Sequence, residues 1–331
     1  MFRAAVIIPA LLILSSFSVM FEHPAPVYRF PYSQAGLTKQ EAAAHLLSRF
    51  SFGATPGQVE EVVKTGIEKW FFQQLTGSLP DDSLNKMLSA YESLSMNNEQ
   101  IAKAYPKNGQ ILKMAIADGI IDKETAKTDK QDYKKVLKAY AAENGYKPQS
   151  EMIRQLINQK ILSAAYSQNQ LREVLTDFWF NHFNVSLTKG DTRGFVSVYE
   201  REAIRKNVFG RFENLLLASA KSPAMLTYLD NFRNVAPGGS LNAQQQKRQE
   251  RYLAQLEEKQ AADSSMQKND IAGKLIKAKR TQGLNENYGR EIMELHTVGV
   301  DGGYTQTDVT NAARIFTGWT INPSLLKGVN K

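Results

Sequence analysis

Residues 285–319 read Asn-Glu-Asn-Tyr-Gly-Arg-Glu-Ile-Met-Glu-Leu-His-Thr-Val-Gly-Val-Asp-Gly-Gly-Tyr-Thr-Gln-Thr-Asp-Val-Thr-Asn-Ala-Ala-Arg-Ile-Phe-Thr-Gly-Trp. Two helices joined by a tight loop follow from this stretch. Asn285 is a good N-cap, Glu286 sits favourably against the positive helix end, and Gly299 supplies a left-handed stop. Asp301, Gly302 and Gly303 then turn the chain. Thr305 with Asp308 three residues on has the form of a capping box, Asp standing in the Glu/Gln place, and opens the second helix. No alternating strand pattern of useful length occurs here or elsewhere, so the predicted class is all-α: a multi-helix globular domain with two polar insertions.

The same stretch carries a resemblance. Asn285-Glu286-Asn287-Tyr288, Arg290-Glu291, Leu295-His296-Thr297, Gly303-Tyr304-Thr305, Asp308-Val309 and Thr317-Gly318-Trp319 recur as a set with three further blocks. These are Phe178-Trp179-Phe180-Asn181-His182-Phe183, Ser222-Pro223-Ala224-Met225-Leu226 with Tyr228-Leu229-Asp230-Asn231, and His45-Leu46-Leu47-Ser48-Arg49-Phe50 with Phe52-Gly53. Together they resemble the signature of the bacterial domain of unknown function 1800 family. The similarity runs from about residue 38 to the end, interrupted by insertions at about 80–150 and 236–281. The resemblance implies a helical architecture and an exported protein. It implies no reaction. Relatives continue with further helical sequence, so the resemblance also implies a helical domain, 38–331, that is incomplete at its C-terminus.

The chain has 331 residues, 42% of them hydrophobic, enough for a packed core. A mean hydropathy of -0.39 excludes a multi-spanning membrane protein. The net charge of +8 is concentrated in the insertions: residues 100–150 carry ten Lys against six acidic groups, and residues 241–282 nine Lys/Arg against five. Basic, polar insertions of this kind read as solvated surface, and no nucleic-acid partner is expected. There is no Cys, which excludes disulfide and thiol chemistry.

Residues 1–18 have the form of a signal peptide: Arg3, an apolar run over 4–14, and Ser16-Phe17-Ser18 before a mature start near Val19. Pro9 interrupts the run, and an uncleaved N-terminal anchor would be the sole membrane attachment. The expected location is periplasm, outer envelope or the exterior. A Pro-containing linker follows over 19–37.

Thr38 with Glu41 caps a helix through Phe50, with His45 on its apolar side, and Pro56 is placed at the first position of the next. Further helices are predicted over 67–75, 83–94, 110–117, 133–143, 151–166, 171–183, 195–209 and 212–220, and another after Ser222-Pro223. In the 151–166 helix, Ile153, Leu156, Ile157 and Ile161 fall at core spacing. Segment 236–281 is rich in Gln, Lys and Glu, lacks apolar anchors, and is expected to be disordered.

Four His residues exhaust the imidazole chemistry. His23 lies in the linker. His182 shares a helical stripe with Leu171, Leu175 and Phe178, which predicts burial near a helix end. Two uses are open to it: a core histidine whose N–H meets a carbonyl, or a general base or metal ligand in a dry pocket. At about 100° per residue from Glu286, Glu294 lies near 80°, Glu291 near 140° and His296 near 280°, beside Ile292. These three do not converge on one ion, and no metal or cofactor is predicted. Glu286, Arg290 and Glu294 form an i, i+4, i+8 ladder. Residues 301–308 are too short for an EF-hand loop, and no phosphate loop or nucleophile elbow occurs.

Two functions remain. One is a non-catalytic cell-envelope interaction or assembly protein. Its partner, by family resemblance, is another exported protein encoded nearby. The alternative is an envelope or extracellular enzyme whose polar pocket joins His182 to Arg290, Glu291 and Glu294 across helices.

Overall fold

The computed structural model describes residues 29–122, 132–236 and 283–327. The expected signal segment, residues 19–28 of the linker, and all but the first residue of the 236–281 segment lie outside the described residues. Among the described residues there is no strand, and the class is all-α.

Thr38 opens helix α1, Lys39–Phe50, with both bonds of the capping box: Glu41 N donates to Thr38 Oγ1 at 3.2 Å and Thr38 N to Glu41 Oε2 at 2.8 Å. Helices α2, Gln58–Thr65, and α3, Ile67–Thr76, follow, separated by Gly66 at φ 96°, a conformation that suits glycine. Pro56 does not take the first helical position expected of it, because Gly57 at φ 79° intervenes and α2 begins one residue later. Ala42, Ala43, Leu46, Leu47, Val62, Ile67 and Trp70 form one apolar cluster, against which Phe30 of the linker packs edge-on to Phe71 at 5.3 Å. His45 is exposed, not on the apolar side. The buried stripe of α1, made by Ala42, Ala43, Leu46 and Leu47, is centred about 130° away from it.

The described residues of 82–143 are largely helical. It contains α4, Asp82–Leu88, a short 3₁₀ turn Glu92–Leu94, α5, Asn98–Ala104, α6, Asn108–Ala117, and α7, Asp132–Glu143. Ile111, Ala115, Ile121 and Tyr140 give α6 and α7 a small core of their own. Helix α5, which periodicity did not reveal, joins this part to the rest: Ile101 and Tyr105 are buried with Met152.

The main core lies on the C-terminal side. It is assembled from α8, Gln149–Tyr166, α9, Gln170–His182, α10, Arg193–Val198, α11, Phe212–Lys221, α12, Pro223–Tyr228, α13, Glu286–Glu294, and α14, Gln306–Ile315, with α15, Pro323–Lys327, at the end of the described chain. Phe183, Val196, Tyr199, Ile204, Leu215, Met225 and Tyr288 are buried at its centre. The phenol of Tyr199 donates to the Phe183 carbonyl at 2.7 Å and that of Tyr288 to the Ala220 carbonyl at 2.6 Å, so each ring enters the core with its hydroxyl satisfied. The expected core spacing of α8 does not hold. Ile157 is 46% and Ile161 60% exposed, while Met152, Gln155, Leu156, Gln159 and Ser163 are buried. The inward face of α8 is therefore half polar, and it borders the cluster described below.

Asn285 caps α13 by accepting from Tyr288 N, and its Nδ2 donates to the Leu229 carbonyl at 2.7 Å, tying α13 to the end of α12. The Thr305–Asp308 box opens α14 with both bonds present. Gly299 has the predicted left-handed φ of 84°, although the helix ends earlier, at Glu294. Helices α13 and α14 approach through Gly289: a Cβ there would lie 2.9 Å from Ala313 N and 2.9 Å from the Val309 carbonyl oxygen. Both are main-chain atoms and neither can yield. Gly289→Ala is expected to lose about 2 kcal/mol in urea unfolding, by forcing the helices apart. Gly109→Ala, in a helix with open space around it, is expected to be neutral or to gain up to about 1 kcal/mol. Equal effects at the two positions would contradict the close approach.

Candidate functional site

His182 is exposed, contrary to the burial expected from its stripe. Leu171 is buried, but α9 runs past the edge of the core, so the same stripe reaches solvent at Phe178, which is 56% exposed. The hydrogen bond expected of a structural histidine is present. His182 Nε2 donates to the His296 carbonyl at 3.2 Å, which selects the tautomer protonated at Nε2. Phe178 stacks on the imidazole at 6.4 Å and Trp179 meets it edge-on at 5.3 Å. His296, two residues past the end of α13, is buried. Its ring stands edge-on to Phe183 at 5.2 Å, and its Nδ1 is buried without a hydrogen-bond partner. Burial, and secondarily the charge of His182, push this imidazole down to about 4.

The Glu286–Arg290–Glu294 ladder does not form. Arg290 donates to Gln306 Oε1 at 2.6 Å, Glu286 accepts from Gln306 Nε2 and Thr310 Oγ1, and Glu294 accepts from the Tyr304 phenol at 2.8 Å. All three side chains fasten α13 to α14 and its loop, because a neighbouring helix offers better-placed partners than the next turn does. The Glu291 carboxyl is raised by partial burial first and by the Glu294 charge second, against the lowering effect of Arg290. Among the described residues no hydrogen bond or ion pair joins His182 to Arg290, Glu291 or Glu294. No group of three or more His, Asp or Glu side chains there is placed to hold a metal ion.

The densest buried charge lies elsewhere. Arg205 donates through Nη1 to Glu173 Oε1 at 2.6 Å and through Nη2 to Glu200 Oε1 at 2.8 Å. Glu173 and Glu200 are 7% and 2% exposed. Burial pulls the guanidinium down, but the Glu200 and Glu173 carboxylates outweigh it and leave Arg205 above its ordinary value. Glu173 comes from the inward polar face of α9, beside Thr176. Glu200 and Arg205 come from the helix that α10 begins. Residues Tyr199–Ile204 there form a π-helix, in which Arg205 N–H donates to the Glu200 carbonyl five residues back. On a regular α-helix residues five apart point about 140° away from each other. The wider π turn brings Glu200 and Arg205 to one side.

The cluster is the partition between two clefts. One, with a volume of about 430 Å³, is walled by α4, the Glu92–Leu94 turn and α8. The other, about 200 Å³, is walled by Lys160, Thr176 and Asp177. Nothing in the local sequence singled this group out. The helix predicted over 195–209 is present but spans 193–207, and the π turn that orients its charges depends on what packs around it.

A family model described as protein of unknown function (DUF1800) matches residues 45–330, nearly the whole chain. Neither a curated protein nor a solved structure matches it. The chain belongs to that family.

Proposed function

We propose that this member of the family is an exported, non-catalytic interaction protein of the cell envelope. It docks another exported protein through the surface around His182. One observation carries the reading: apolar groups stand exposed around a single contact. Phe178 stacks on His182, the His182–His296 bond pins the end of α13 to it, and Leu295 and Val298 flank His296 at 56% and 54% exposure. Phe212, 43% exposed, continues the surface through Trp179 at 5.7 Å. Apolar and aromatic groups held rigid at a surface mark protein interaction sites. Export rests on Arg3, the apolar run 4–14 and the small residues at 16–18. The partner's class rests on the family resemblance. The enzyme alternative draws less support, since His182 and Arg290 are each engaged by groups other than one another.

The test is recovery of the tagged full chain from envelope fractions, with and without Leu295→Asp plus Val298→Asp. Both positions are exposed, so the fold is expected to stay within about 0.5 kcal/mol of the parent per substitution. The parent is expected to bring down one exported protein in stoichiometric amount, with a mature terminus near Val19, and the double variant to lose it. Equal recovery by both chains, or intact Met1 termini confined to the cytosol, would overturn the reading.

A further inference from the structure

We propose that a third cleft, formed where α2 and α3 meet the turn between α8 and α9, binds a short neutral saccharide. Its volume of about 570 Å³ is in the range of small-molecule sites. Two exposed aromatic residues line it: Phe52, 51% exposed after α1, and Tyr166, 55% exposed at the end of α8. With them stand Gln58 of α2, Gln73 of α3 and Gln168 of the turn before α9.

None of these three glutamines is buried, and each keeps hydrogen-bonding capacity that the protein does not use. Gln58 Oε1 accepts from Thr55 N at 2.9 Å, but its Nε2 donates to nothing among the described residues. The side-chain amides of Gln73 and Gln168 and the Tyr166 hydroxyl make no hydrogen bond there either. The frame that carries them is fixed by two other glutamines. Gln74 donates to the Gln168 carbonyl at 2.9 Å and accepts from Leu171 N at 3.1 Å, joining α3 to the start of α9. Gln170 accepts from Phe52 N at 3.1 Å and donates to the Ser167 carbonyl at 2.8 Å, holding the Phe52 loop to the same turn. Gly53 at φ 125° and Gly57 at φ 79° bend that loop back to α2. A cleft held in this way spends little ordering entropy on binding.

The lining selects the ligand class. Among the described residues that line the cleft only Glu61 is charged, so a multiply charged ligand finds no matching set of counter-charges. An apolar ligand would cover the free amides and leave them without partners. A saccharide suits both features: its hydroxyls donate and accept as amides do, and its C–H faces lie against aromatic rings. One carboxylate is half of the pair that glycoside hydrolysis uses, so the site holds the sugar without cleaving it.

The experiment titrates the isotope-labelled full chain with maltotriose, cellotriose and triacetylchitotriose. A separate titration uses triproline, which offers apolar faces to the rings but no hydroxyl. The readouts are the side-chain amide resonances of Gln58, Gln73 and Gln168. At least one trisaccharide is expected to shift all of them saturably, and triproline none. Tyr166→Ala removes an exposed ring and is expected to weaken binding about fivefold. Gln168→Ala removes free amide groups and is expected to weaken it as well. The Leu295→Asp plus Val298→Asp chain is expected to bind the sugar as the parent does, so this proposal and the docking reading fail separately. Absence of saturable shifts with every trisaccharide, equal shifts with triproline, or undiminished binding in a folded Tyr166→Ala or Gln168→Ala chain would overturn the proposal.

Discussion

Arg205→Met is expected to destabilise the protein by about 3–5 kcal/mol at neutral pH, the loss seen when one partner of a buried ion group is removed. The reason is not the two hydrogen bonds alone. Glu173 and Glu200 are almost wholly buried, and without the guanidinium each would be an uncompensated charge next to the other. A rescue is therefore expected as well. Adding Glu173→Gln and Glu200→Gln to Arg205→Met removes the stranded charges and is expected to restore most of the loss, because neutral isosteres carry a much smaller desolvation penalty. Urea unfolding of the single and triple variants checks both parts. A single variant within about 1 kcal/mol of the parent, or a triple variant no better than the single, would show that the cluster is solvated in solution.

The second large effect is a dependence on pH. His296 titrates at about 4 in the folded chain against 6.5 in the unfolded one. Between these values the unfolded chain binds the proton and the folded chain does not, so stability rises with pH across that window. The contribution is fully present above pH 6.5 and is lost as pH falls towards 4. At the acid end the loss reaches about 3 kcal/mol. The groups facing His296 are the Phe183 ring and His182, and the latter's charge acts in the same direction as burial. His296→Leu removes the titrating group but leaves the main-chain carbonyl that accepts from His182. It is expected to flatten the pH profile between 4 and 6.5, and to lose little at neutral pH because Nδ1 has no partner to forfeit. The same slope in both chains would place the acid sensitivity elsewhere.

What was legible in the sequence was local. The caps at Thr38, Ser222, Asn285 and Thr305 form as read, because each bond spans two or three residues and depends on nothing distant. His296 is buried as expected, although α13 ends two residues before it. Burial was less legible. The stripe containing His182 is real as geometry, but how far a stripe stays covered is decided by where neighbouring helices end. Ile157 and Ile161 face outward because α8 turns Gln155 towards Ser93, and Gln159 and Ser163 towards the cleft of about 430 Å³, instead. The Glu173–Arg205–Glu200 cluster was illegible for both reasons at once. Its members lie 27 and 32 positions apart where they bridge helices, and the turn that aligns two of them is a product of packing.

Cross-linking in intact cells tests the proposed docking of an exported protein at the surface around His182. A benzophenone amino acid placed at Leu295, which is 56% exposed beside His296, is expected on illumination to give one adduct of fixed mass with an exported protein. The same group at Ile120, 55% exposed just after α6, is expected to give none. Adducts of equal yield from both positions, or none from Leu295, would contradict the account.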